Sequence, residues 1–113
     1  MKNVRIRVPL TMYTRLCLAR GCFDIGFSEI ARKSIRWSFS KQLDVAKIKN
    51  KFHATHSKEN FDYHLNIDID DNILLTQDCI LSILWYRLST MEIRPPDVFV
   101  PEENEEYIIG QPG

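Results

Sequence analysis

Glycine is scarce in this chain, four residues in 113, and no two are adjacent. There is no Gly-rich loop to cradle a phosphate, which excludes the nucleotide-binding folds built on one. Cysteine is limited to Cys17, Cys22 and Cys79, an odd number without Cys-x-x-Cys spacing. That excludes a disulfide framework and a zinc ribbon, and reduced thiols in a cytoplasmic protein are expected. No apolar run approaches the roughly 20 residues a membrane-spanning helix needs. The longest, Cys79–Leu88, is flanked by Asp78 and interrupted by Arg87. After Lys2 the apolar residues alternate with arginines, which is not the pattern of a secretory leader. No Ser–His or Cys–His pattern has local support, and no pair of carboxylates sits in an apolar setting. The chain therefore reads as a non-enzyme without a cofactor. His53-x-x-His56 with His64 and Cys79 is too sparse for a metal site, since no second motif completes four ligands.

Net charge is also missing, but the zero hides a split. Residues 1–57 hold 12 Lys/Arg against three acids, and residues 58–113 hold three against 12. A basic half joined to an acidic half points to a polyanion-binding end and a differently employed end.

What is present is amphipathic patterning of two periods. In Asn3–Pro9 apolar and polar side chains alternate, so Val4, Ile6 and Val8 share one face of a strand and Asn3, Arg5 and Arg7 the other. Met12, Tyr13, Leu16 and Ala19 recur at helical spacing over Thr11–Gly21, with Gly21 as a stop signal. A second helix is predicted from near Gly26 or Ser28 to Phe39 or Gln42, with Phe27, Ile30, Ala31, Ile35 and Phe39 inward. Leu43–Ile48 can continue as helix, and His53–Asn60 reads as a linker. Phe61–Asp70 alternates cleanly and predicts a half-buried strand. Asp70 or Asp71 is the expected cap of a helix over Asn72–Ser89, apolar nearly all round from Cys79 and so buried on several sides.

Residues 1–42 alone cannot bury a sufficient core, because domains below about 40 residues need metals, disulfides or oligomerisation. The first strand has no hairpin partner, yet its backbone donors and acceptors must be paired. A second copy, antiparallel across a two-fold axis, answers both needs. Val4, Ile6, Val8, Leu16, Ile30, Ile35 and Phe39 would then form a dimer core. Pairing with the Phe61–Asp70 strand of the same chain is the alternative, and gives a monomeric α+β domain.

The strand–Pro–helix–turn–helix order, with VRIRVP followed by FSEIARKSIRWSF, resembles the ribbon-helix-helix repressors of the Arc/MetJ type over residues 3–42. The resemblance implies a homodimer, or a higher oligomer, that inserts paired strands into the major groove of double-stranded DNA. Asn3, Arg5 and Arg7 would be the base-reading side chains, matching the known preference of Asn for adenine and Arg for guanine. It also implies a phosphate anchored at the start of the second helix, here Gly26, Phe27 and Ser28. Lys2, Arg32 and Lys33 would add phosphate contacts. The family favours Ser or Thr as the cap of that helix, whereas Ile25 stands at the matching position between Asp24 and Gly26.

The expected architecture is thus mainly α with short strands (α+β). It has a dimerisation and DNA-binding segment (1–42), a basic linker or helix extension (43–60), an acidic strand–helix module (61–96) and an acidic tail (97–113). The expected function is sequence-specific transcriptional regulation, most simply repression. The alternative is a protein-binding module, a toxin-neutralising antitoxin or an inhibitor of a host factor, that engages a partner through residues 61–113. Trp85 and Tyr86 would be its anchors, since such aromatics dominate interface energetics.

Overall fold

The structure is a computed structural model and describes residues 1–93; the expected acidic tail (97–113) and the end of the acidic module lie outside the described residues. The order is β1 (Lys2–Val8), α1 (Leu10–Phe23), α2 (Phe27–Ser40), α3 (Val45–Thr55), β2 (Tyr63–Ile69) and α4 (Gln77–Thr90). The fold is α+β: β1 and β2 make one antiparallel sheet, and the helices pack against one of its faces. Its register runs from Lys2 opposite Ile69 to Val8 opposite Tyr63.

This register corrects the expectation that β1 lacks a partner in its own chain. The pairing that a twin was invoked to supply comes from β2, and the intrachain alternative holds. Segments 1–42 and 61–93 share one sheet and one core. Within a single chain Val8 and Leu16 are fully buried, Ile6, Ile30 and Ile35 nearly so, and Val4 packs half-buried against them. These residues belong to an intrachain core, with Phe52, Leu65, Ile67, Ile69 and Leu84 as its other half.

Phe39 is corrected outright: it is 50% exposed. The inner face of α2 is instead Ile30, Ala31, Ser34, Ile35 and Ser38. Small side chains at positions 31, 34 and 38 share a stripe at helical spacing, which lets α2 lie close to its neighbours. The two buried hydroxyls are satisfied locally, Ser34 donating to the Ile30 carbonyl and Ser38 to the Ile35 carbonyl, both at 2.7 Å.

Local chemistry sets the boundaries. Pro9 ends β1, having no N–H for a ladder, and stands as the N-cap of α1 with its carbonyl accepting from the Tyr13 amide at 2.9 Å. Helix α1 runs through Gly21 and stops at Asp24, which takes the left-handed conformation (φ 55°, ψ 45°) that short polar side chains tolerate. Asp44 caps α3, its carboxylate accepting from the Lys47 amide at 3.2 Å, so the expected linker or helix extension (43–60) holds a separate helix, which takes in the first three residues of the expected His53–Asn60 linker. The cap of α4 is Thr76, whose hydroxyl accepts from the Cys79 amide at 3.1 Å, and not Asp70 or Asp71. Asp70 closes a turn, its carbonyl accepting from Ile73. The apolar circumference of α4 is explained by its place in the fold: α1, α2, α3 and β1 all pack on it.

A candidate nucleic-acid interface on the ribbon

Among the described residues, alternation in β1 and β2 leaves one ribbon face without a covering element. Asn3, Arg5 and Arg7 are exposed on it, and the register places Asp68, Asn66 and His64 directly opposite them. Seven residues per strand give a ribbon about 20 Å long, and a two-stranded ribbon fits the roughly 12 Å width of a DNA major groove. Arg5 has no partner among the described residues. Arg7 donates from Nε to the Phe61 carbonyl at 3.1 Å, leaving its terminal nitrogens available. Asn3 donates from Nδ2 to the Asp68 carboxylate at 3.0 Å. The face therefore carries two guanidinium groups, two amides and an imidazole, with one carboxylate at the Asn3 end.

Other residues assigned to phosphate contact have intrachain duties. The Lys2 ammonium donates to the Ile73 carbonyl at 2.6 Å. Arg32 donates from Nη1 to the Asp68 carbonyl at 3.0 Å, and Ser28 Oγ accepts from the Asp68 amide at 3.0 Å. These two side chains of α2 saturate the outer edge of β2 at Asp68. Lys33 pairs with Glu29 at 3.8 Å on the exposed surface. Gly26 is the N-cap of α2, and no side chain caps the amides that follow it. Phe27 is half-buried, with Tyr13 edge-on to its ring and the Arg20 guanidinium 4.5 Å above it.

Trp85 and Tyr86 also make intrachain contacts. Trp85 meets Phe52 edge-on at 5.5 Å and the buried His56 at 5.7 Å. Tyr86 lies 5.9 Å from Trp37, over which Arg87 places its guanidinium at 4.6 Å. The histidines are dispersed. His53 bonds the Asp78 carboxylate at 2.8 Å, His56 bonds the Phe52 carbonyl at 2.9 Å, and His64 stands on the ribbon face. Among the described residues no three His, Cys, Asp or Glu side chains gather where they could hold a metal ion.

Sequence reasoning found three members of the exposed face and missed its other half. His64 and Asn66 were visible as polar positions of an alternating strand, but only the pairing with β1 puts them beside Arg7 and Arg5. No helix of the described residues is long and apolar enough to cross a membrane. No family model, curated protein or solved structure matches the chain.

Proposed function

We propose that this chain is a sequence-specific DNA-binding regulator that lays its β1–β2 ribbon in the major groove. The observation that carries the reading is the uncovered ribbon face, on which Arg5 and Arg7 stand beside Asn66 and His64. Arginine forks suit the O6/N7 edge of guanine, and the Asn66 amide suits adenine. The ribbon is complete in one chain, so base reading does not require a twin. A homodimer would add a second ribbon for a second half-site and raise avidity.

Selection from a randomised duplex library, followed by titration of the enriched site, tests this. Replacing Arg5 and Arg7 together with Ala is expected to weaken the selected site by about 2–6 kcal/mol, at about 1–3 kcal/mol per guanidinium–guanine pair. Binding of the parent chain should fall steeply with salt as counterions are released. No enriched sequence, or an unchanged preference in the double variant, overturns the reading.

A further inference from the structure

A groove opens where the end of β1 meets the last turns of α3 and the first turns of α4. It encloses about 370 Å³, near the small end of the roughly 300–1,000 Å³ of small-molecule sites. Ile6, Phe61 and Leu81 give it an apolar floor, and Arg7, His53 and Asp78 stand on its rim. The polar groups of that rim are held by the fold before anything binds. Arg7 spends Nε on the Phe61 carbonyl at 3.1 Å, which leaves its two terminal nitrogens as a fork with no partner among the described residues. His53 Nε2 lies 2.9 and 2.8 Å from the two Asp78 carboxylate oxygens, a bridge that ties α3 to α4.

We propose that this groove is a binding site for a small aromatic monocarboxylate. The acid group takes the Arg7 fork, whose spacing matches a carboxylate in two parallel N–H···O bonds. The ring lies on the floor beside Phe61, an aromatic neighbour already fixed edge-on to Phe52 at 5.9 Å. Charge selects a monoanion. Among the lining residues Arg7 attracts an anion and Asp78 repels one. One carboxylate turned toward Arg7 satisfies both, whereas the second charge of a phosphate dianion adds repulsion from Asp78. This inference stands apart from the DNA reading, and its test contains no DNA.

Titration of the full chain with benzoate at constant ionic strength, followed by methyl and amide resonances, tests it. Saturable shifts are expected at the Ile6 and Leu81 methyls. In Arg7→Ala benzoate should bind about tenfold to a hundredfold more weakly, the loss that goes with a charge-assisted hydrogen-bonded pair. Arg7→Lys keeps the charge without the fork and should fall between. An unchanged Ile67 methyl signal in both variants shows that the core is intact. Benzamide, which lacks the charge, acetate, which lacks the ring, and phenyl phosphate, a dianion, should each bind the parent chain at least about tenfold more weakly than benzoate. No saturable shift at Ile6 and Leu81, or an unaltered affinity in Arg7→Ala, overturns the proposal. Benzamide binding as tightly as benzoate also overturns it, because the fork then contributes nothing. Equal binding of phenyl phosphate makes the groove a phosphate site, and equal binding of acetate makes it a bare anion contact; either result overturns it as well.

Discussion

The two faces of the β1–β2 ribbon are made from the same fourteen residues and have opposite fates. Ile6, Val8, Leu65, Ile67 and Ile69 are buried, whereas Asn3, Arg5, Arg7, His64, Asn66 and Asp68 stand in solvent. One residue of offset along the backbone separates a side chain that holds the fold from one that is free to recognise something. Among the described residues the sheet has two strands and this division is sharp, because the helices shield one face and no described element lies on the other. Cohesion is concentrated on the inner face, so the outer face can be varied with little structural consequence.

Neighbouring residues of β2 give the most direct way to break that comparison. Ile67 is fully buried. Its replacement by Ala should cost about 2–5 kcal/mol, read as a lowered midpoint in urea unfolding with unchanged slope. A smaller effect is expected at the edge between the faces. Ser28→Ala removes the acceptor for the Asp68 amide, and about 1 kcal/mol of stability should go with it, measurable in the same titration. The smallest belongs to the outer face. Asn66→Ala should leave stability within about 0.5 kcal/mol of the parent, since surface changes away from caps and networks do little. If Asn66→Ala destabilises as much as Ile67→Ala, the outer face is not free and the proposed role in DNA recognition fails with it.

Periodicity explains why some of this was legible beforehand. The alternation of Phe61–Asp70 names both faces of β2, and the spacing of Met12, Leu16 and Ala19 names the buried stripe of α1. The partner of β1 was not legible, because alternation specifies which face a strand buries and leaves open what lies along its edge. A twin and β2 both satisfy the same backbone groups. The inner face of α2 was misread at its end for a different reason. Ser34 and Ser38 read as polar, yet their hydroxyls bond the preceding turn of the helix and they pack as small side chains, which displaces Phe39 outward. The start of α4 was placed too early because Asp70, Asp71 and Thr76 are all competent caps, and only the turn closed at Ile73 decides among them. Half the exposed ribbon face stays unassigned for the same reason as the partner strand: His64 and Asn66 acquire their neighbours through long-range pairing alone.

The register that joins Lys2 to Ile69 also fixes an order of events at birth. The first strand leaves the ribosome long before its complement exists, and at ~5–20 residues per second it waits several seconds for the second. During that interval Val4, Ile6 and Val8 have no ladder to join, and α1, α2 and α3 are the elements already made that can shelter them. A nascent chain stalled before residue 63 would expose the sticky side of an unfinished ribbon to chaperones.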